Sequence, residues 1–570
     1  MTTVISGSYP AVNSDSDATV NGLTVGRGGS DVVTNVAFGP NALASNTTGV
    51  ANIGIGFNAL TANTTGSDNT VMGVSAFITN TTGAGNTAIG RQAMRLNTTG
   101  NFNTSYGTLA LYSNTTASNN TAVGYQAGYS NTTGSINTAV GVQALYTNTT
   151  GSQNNALGYQ ALYLTTTGNY NNAFGVEALE ANTTGSNNTA MGDGALRANT
   201  TASGNTAVGY QAGYSNVTGV RNAFFGYLAG YANTTTDNTF IGYEAGLDNT
   251  TGANNTFLGT RAAENNTTGA SNTALGTESL QTNTTGGFNV AIGRQALASN
   301  TTASNNTAVG YQAFYTNTTG TSNTAIGTKA AYTTNASSVT MVGYQAGLNS
   351  TGTEVTIIGA QAGQLMTTGV GNTLAGASAG YSLTTGSRNT IVGATNTGAN
   401  GAGDAITTGS NNTLLGSYNG NSGGLDIRTA SGYIVFSDGS ANWKAYFNGA
   451  AGGWFQVSNS SSWATTSDQR IKENIVGLTD CLAKIVALRP VEFDYKIGEK
   501  AHDVGFIAQE YETVFPEQII EQSAGGEEIK ALTNNEPVKG IQQNLVPYLV
   551  KAIQELKAEV DSLKQQLNGA

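Results

Sequence analysis

The chain has 570 residues, of which 76 are glycine, 6 are proline and only 10% are charged, a composition that excludes an ordinary globular enzyme and indicates short repeats. The net charge of −11, with no basic cluster, gives no electrostatic basis for binding nucleic acid or an anionic membrane surface. One cysteine, Cys481, and one histidine, His502, exclude an intrachain disulfide and a Cys/His zinc site, so we expect no metal and no cofactor.

Residues 1–33 precede the repeats, and we assign them to attachment or capping. The first residues lack a basic region followed by an apolar run, which predicts no Sec-type export. No stretch approaches the roughly 20 apolar residues of a membrane span. We therefore expect no membrane insertion.

Residues 34–418 repeat the block Asn-Thr-Ala-Val-Gly-Tyr-Gln-Ala-Leu, followed by Asn-Thr-Thr-Gly, with variations. One glycine marks each copy, in steps of 17 or 16 residues from Gly39 to Gly393 and then at Gly416, which makes 23 copies. A period this short predicts a solenoid in which each coil stacks on the next. At a strand spacing of about 4.8 Å, the array gives a rod roughly 105 Å long, which we interpret as a spacer or stalk.

Strands are favoured over helices within each copy, because four to six residues between breakers are too few for a helical pair. We expect Ala122 and Val123 on one strand of a coil and Ala127 on a second, with Ala144 and Leu145 on that second strand in the next copy. The Asn-Thr-Thr-Gly tetrads are predicted turns. Their Asn and Thr side chains would form hydrogen-bonded ladders along the stack, and their glycine would supply a positive φ.

The Asn-Thr-Ala-Val-Gly core of the repeat is similar to the head repeats of trimeric autotransporter adhesins, although the period here is longer. That resemblance implies a parallel β-roll in which three chains pack together. The predicted fold class is therefore mainly β, with a trimeric parallel β-solenoid shaft of about 17-residue coils.

Residues 419–466 leave the repeat and hold all three tryptophans of the chain. Runs such as residues 432–436, followed by Ser-Asp-Gly, predict a short β-rich tip. Two roles remain open for its aromatic side chains: the core of a small trimeric β-domain, or stacking on the sugar rings of a surface polysaccharide. The candidate receptor-binding residues are Trp443, Tyr446, Trp454 and Trp463.

Charge marks the next boundary, because residues 467–570 carry 17 acidic and 11 basic groups, against 16 and 11 in the much longer stretch 1–466. The boundary coincides with the string Ser-Asp-Gln-Arg-Ile-Lys at residues 467–472. Self-cleavage needs a nucleophile and a base that removes its proton. Ser467 would attack the peptide bond between Thr466 and Ser467, and Lys472 would be the base, its pKa lowered by burial.

This string, together with Gly-Phe-Ile-Ala-Gln-Glu at residues 505–510 and the terminal helix, resembles the intramolecular chaperone auto-processing domain of the endosialidase type. Such domains end many phage tailspikes, tail fibres and neck appendages. The resemblance runs from Ser467 to about Leu567, and we assign residues 467–570 to an α+β domain of this kind. It implies a catalytic dyad of Ser467 and Lys472. It also implies supporting roles for four further residues: Gly505, Gln509, and Asp468 and Arg470 as positioning residues.

The terminal segment, residues 541–567, has the apolar spacing of a coiled coil, with steps of three and four. β-branched residues at heptad position a, with leucine at heptad position d, mildly favour a two-stranded coiled coil. The resemblance implies a trimer instead, and we expect a trimer here. The seam residues are Val546, Leu549, Ile553, Leu556, Val560, Leu563 and Leu567.

These features together predict a structural protein of the phage tail fibre or tailspike type. It would be a homotrimer, assembled in the host cytoplasm and carried on the virion with other tail proteins, that recognises a bacterial surface glycan or another receptor. Its only catalysis would be a single-turnover cut before Ser467. The alternatives are a bacterial surface trimeric adhesin, a capsule-degrading tailspike with an active site between chains, and an ice-binding protein that uses stacked Thr ladders.

Overall fold

A computed structural model describes residues 18–20, 23–394, 401–449, 453–456, 476–494, 502–522, 538–541 and 545–568. The chain divides into two compact units, residues 1–459 and 460–570. The first unit is a β-solenoid and the second is a small α+β unit. Among the described residues, no helix combines the length and apolar character needed to cross a membrane.

Each coil of the solenoid contributes one three-residue strand, and neighbouring strands pair in parallel with equivalent residues side by side, as Thr121 pairs with Thr138. A hairpin of β1 (Ala18–Val20) and β2 (Leu23–Gly26) precedes the coils. The coil strands, β3 to β25, are Val36–Phe38, Ile53–Ile55, Thr70–Met72, Thr87–Ile89, Thr104–Tyr106, Thr121–Val123, Thr138–Val140, Asn155–Leu157, Asn172–Phe174, Thr189–Met191, Thr206–Val208, Ala223–Phe225, Thr239–Ile241, Thr256–Leu258, Thr273–Leu275, Val290–Ile292, Thr307–Val309, Thr324–Ile326, Thr340–Val342, Thr356–Ile358, Thr373–Ala375, Thr390–Val392 and Thr413–Leu415. The predicted mainly β solenoid of about 17-residue coils is therefore confirmed.

The predicted second strand of each coil is wrong, because the residues assigned to it form consecutive turns. Gln143 and Leu145 have positive φ values of 57° and 52°, whereas Ala144, which lies between them, does not have a positive φ. Alternation between right- and left-handed backbone cannot produce an extended strand. Ala127, Ala144 and Leu145 are nevertheless buried, so these turns supply the second wall of the core.

In many coils the core pairs one large and one small residue that lie six positions apart along the chain. In nine coils the middle residue of the strand is alanine and the residue six positions on is large, as Ala139 precedes Leu145. Phe240 of β15 instead precedes Gly246, where an added Cβ would lie 2.8 Å from the phenylalanine ring. In these coils a large side chain at one position is matched by a small one at the other, which keeps the core filled, whereas Val71 and Phe77 are both large and both buried.

We expect an exchange of this pair to be tolerated better than either single change. Phe257→Ala should cost about 3–5 kcal/mol through its cavity, and Ala263→Leu about 1–3 kcal/mol through overpacking. The double variant should recover more than half of the summed loss, because it recreates the pair found in the next coil, Ala274 with Leu280. The backbone at residue 263 suits a leucine, since the φ of Ala263 is 48° and that of Leu280 is 53°. Unfolding of the four proteins followed by circular dichroism measures this. Additive losses would contradict complementary packing.

Two buried asparagine ladders run through the solenoid, one in the tetrads, as the sequence predicts, and a second, which was not predicted, directly before the strand in most coils. Asn131 donates through Nδ2 to the side-chain oxygen of Asn114 in the preceding coil and to the Gly134 carbonyl, both at 2.9 Å. Asn137 donates through Nδ2 to the Gly151 carbonyl at 2.9 Å, and its backbone N–H donates to the side-chain oxygen of Asn120 at 2.8 Å. Buried amides are stable here because they bond to the coils on either side.

The tetrad glycine does not supply a positive φ, which corrects the prediction. A Cβ on Gly134 would lie 2.1 Å from the Gly151 carbonyl oxygen, so this glycine allows close approach of adjacent coils. The left-handed residue of this turn is Ile136, with φ of 61°. A positive φ belongs to the phase-marking glycine, such as Gly141 at +137°, which follows the strand and turns the chain.

Both ends of the strand ladder are covered by antiparallel strands. β2 pairs with β3 at the amino-terminal end. At the other end β28 (Tyr433–Ser437) pairs in parallel with β25, and β29 (Trp443–Asn448) and β30 (Gly453–Gln456) continue the sheet antiparallel. A small hairpin, β26 (Asn421–Ser422) with β27 (Leu425–Asp426), precedes them. The first and last coil strands, β3 and β25, are therefore paired on both sides, and among the described strands β1 and β30 form the edges of this sheet.

The described residues of the second unit form two β-hairpins and three α-helices. Its elements in chain order are α1 (Cys481–Ala487), β31 (Val491–Asp494), β32 (His502–Gly505), α2 (Ala508–Tyr511), a 3₁₀ turn at Pro516–Gln518, β33 (Ile519–Gln522), β34 (Val538–Ile541) and α3 (Val546–Asn568). β31 pairs with β32, and β33 with β34, both antiparallel. The predicted helical segment 541–567 starts too early, because Ile541 ends β34.

Candidate functional site

A run of aromatic rings forms the centre of the second unit. Phe506 lies 5.6 Å from Tyr511, Tyr511 lies 5.3 Å from Phe515, and Phe515 meets Tyr548 edge to face at 4.7 Å between ring centroids. The Tyr511 hydroxyl hydrogen-bonds to the side-chain oxygen of Gln518 at 2.9 Å, and burial raises the pKa of Tyr511. These contacts fix α2 against the first turn of α3.

A cleft of about 260 Å³ opens beside these rings, between the end of α1 and the start of α2. Its lining includes Arg489, Phe506, Gln509 and Glu510. Arg489 donates from Nε to the Glu510 carboxylate at 3.0 Å, and this guanidinium holds the pKa of Glu510 below its ordinary value. The ion pair is exposed, so it orients α2 more than it stabilises the fold.

Of the two supporting residues implied by the resemblance, Gln509 lines this cleft and Gly505 directly precedes its lining residue Phe506. Gly505 ends β32 opposite Val491, and a Cβ on it would approach the ring of Phe493 to 3.3 Å. Gln509 follows one turn later on α2 and lines the cleft. The hairpin and the short helix thus place an amide side chain beside an arginine–glutamate pair.

The residues proposed for the cut itself lie outside the described part of the chain. These are Ser467, Asp468, Arg470 and Lys472, together with Thr466. Their role as a dyad and its positioning residues stays a prediction. Among the described residues, no group of three or more acidic, cysteine or histidine side chains could hold a metal ion.

The terminal helix α3 uses one face within its unit and leaves its heptad seam uncovered. Ala552 is buried, and the backbone N–H of Leu482 in α1 donates to the Glu555 carboxylate at 2.7 Å. The seven seam residues are instead exposed, from 39% at Val560 to 78% at Leu567. An exposed apolar row with this spacing is what the coiled-coil prediction requires, and the coiled coil itself stays a prediction.

The candidate receptor-binding aromatics of the tip are partly packed into the end of the solenoid. Trp443 and Tyr446 lie edge to face with centroids 5.1 Å apart and contact the solenoid core. The Trp443 indole N–H donates to the Gly423 carbonyl at 3.1 Å. Trp454 lies on β30 opposite Phe447, and Trp463 lies outside the described residues.

Sequence reasoning missed two features of these regions. The first is the ion pair of Arg489 and Glu510, which lie 21 positions apart in the sequence. The one available signal was that Glu510 directly follows the predicted site residue Gln509. Tyr418 was not singled out, yet it is fully buried, donates its hydroxyl to the Leu425 carbonyl, and has its pKa raised by burial. Its position directly after the last repeat was the available signal.

Comparison with known families finds one match, in the second unit. Residues 467–520 match the family described as chaperone of endosialidase. No curated protein and no solved structure matches the chain significantly. The fold and this match define a β-solenoid followed by a chaperone-of-endosialidase domain, and the matched stretch is shorter than the span to about Leu567 expected from the resemblance.

Proposed function

We propose that this chain is a structural protein of the phage tail fibre or tailspike type, a homotrimer that recognises a host surface. Its carboxyl-terminal domain drives folding of the trimer and then releases itself by cutting between Thr466 and Ser467. The observation that carries the proposal is the place of the family match, which begins at Ser467, directly after the solenoid unit.

The solenoid explains why a chaperone is needed. Successive strands of three residues are nearly interchangeable, so a neighbouring chain displaced by one coil loses little contact. Many registers of similar energy produce a rough folding landscape. A clamp that joins three chains at one end selects a single register.

The exposed seam of α3 is the proposed clamp. Its seven positions follow the spacing of a coiled coil, and the helix is anchored to α1 outside the seam, where Glu555 accepts from the backbone N–H of Leu482. Removal of the clamp after assembly would make the process irreversible and give the rod kinetic stability.

After release, residues 419–466 would form the carboxyl-terminal end of the shaft. The half-exposed rings of Trp443 and Tyr446 offer flat apolar faces of the kind that stack on sugars. We propose this end as the receptor-binding region, with a bacterial surface glycan as the preferred class of receptor.

The clamp is tested by charges placed in the seam of the full-length chain. In a Ser467→Ala background, Leu556→Asp with Leu563→Asp should abolish the trimer, because buried aspartates at d positions are costly. The matched control, Ala558→Asp with Gln565→Asp, adds the same charge on the opposite face of α3 and should remain trimeric. Sedimentation equilibrium measures the mass. A trimer that survives the seam charges would contradict the clamp.

A further inference from the structure

One outward-facing column of the solenoid is apolar at every coil. It consists of the third residue of each strand from β3 to β25, continued by Phe436 of β28, which pairs with Leu415. We call these 24 positions the outer apolar column. They are occupied by Val, Ile, Leu, Met and Phe, with one Tyr and one Ala, and none is buried. Leu157 and Met191, for example, are 46% and 45% exposed.

Other exposed positions on the same coils are not restricted to apolar residues. Two positions further along each coil, after the phase-marking glycine, the exposed residues include Arg91, Asp193 and Arg294. The first residue of the strand is most often threonine. None of the charged side chains of residues 1–466 enters the outer apolar column, although its neighbours on the same coils accept them.

A continuous apolar row of this length marks an interaction surface. At about 4.8 Å per coil it runs for roughly 110 Å and is one residue wide. A stable interface uses about 20–30 residues per partner, and the 24 positions of the column fall within that range.

We propose that the outer apolar column is the line along which copies of this chain pack against one another, parallel and at equal height. A partner must present a straight apolar row with the same spacing and the same length, and a second copy does so by construction. Because β3 and β25 are already paired with β2 and β28, the end strands of the coil stack do not offer a second copy a free edge, whereas the outer apolar column on the side of the coils is exposed. The α3 seam at the same end of every copy favours parallel alignment. This inference rests on the proposed homotrimer and assigns its shaft interface.

Cross-linking tests the contact in the full chain. In a Cys481→Ala background, Leu157→Cys should be joined into covalent trimers by a three-armed maleimide reagent, because equal-height packing brings the three thiols together. The matched control is Thr167→Cys, an exposed tetrad residue of the same coil, which should give monomers only. Trimers in the control but not in the column variant would overturn the inference while leaving the homotrimer intact.

A charge test gives an independent reading. Leu157→Asp with Phe174→Asp should weaken association of the shaft at least tenfold, whereas Tyr159→Asp with Val176→Asp should not, because the latter column already accepts Asp193. Sedimentation equilibrium measures association, and circular dichroism shows that each variant remains a folded solenoid. Unchanged association of the column variant would overturn the inference. A monomeric wild type would overturn the homotrimer as well.

Discussion

Residues 1–466 produced alone should fail to assemble, although the same 466 residues should be recovered as soluble rods when they are made as part of the full chain. The 23 coils offer about 20 shifted registers of similar energy to two neighbouring chains. Without a clamp, the correct register should account for roughly a tenth of the products or less. Chains trapped in shifted registers expose part of the outer apolar column and aggregate.

The comparison is informative because both routes end in one polypeptide, and only its folding history differs. Soluble yield after centrifugation, with particle length from electron microscopy, measures the outcome. The control is full-length Ser467→Ala, which keeps the clamp without the cut and should assemble normally. Equal soluble yields of uniform rods by both routes would show that the carboxyl-terminal domain is not a chaperone.

The solenoid was predictable because its period is written directly in the sequence. A glycine every 17 or 16 residues sets the coil, and the strand block sets the single strand. The second strand was not predictable from apolar spacing, since Ala144 and Leu145 are buried in turns as they would be in a strand. Their alternating φ signs are imposed by stacking on adjacent coils, and propensity does not encode them.

Positive φ at leucine shows the same limit. A bulky residue rarely adopts the left-handed region, so a sequence pattern assigns that conformation to glycine. At Leu145 the burial of the side chain and the hydrogen bond from its N–H to the Ala161 carbonyl, at 2.9 Å, outweigh this preference. The exchange between Phe240 with Gly246 and Ala139 with Leu145, by contrast, could have been recognised from the aligned copies.

The sequence identified residues of the candidate site only where they belong to a short motif. Gly505 and Gln509 came from one short pattern, and the structure places Gln509 in the cleft and Gly505 at the end of β32, directly before the lining residue Phe506. Arg489 comes from the segment after α1, and no repeat or motif gives its pairing with Glu510. Such contacts depend on how a helix and a hairpin pack, which a single sequence does not specify.

Substitution of either member of the proposed dyad should leave the chain uncut. Ser467→Ala removes the attacking hydroxyl, and Lys472→Ala removes the base that takes its proton, so each should slow cleavage by about 10³-fold or more. Ser462→Ala and Lys500→Ala are matched controls that remove the same side chains near the boundary and within the domain. Both controls should cut as the wild type does.

Intact mass analysis of the purified wild type, beside a denaturing gel, tests the central claim most directly. The account predicts two fragments, residues 1–466 and 467–570, the second beginning with a free amino group on Ser467, and a single full-length chain in Ser467→Ala and Lys472→Ala. A wild type that remains one chain of 570 residues, or a Ser467→Ala chain that is still cut before residue 467, would contradict it.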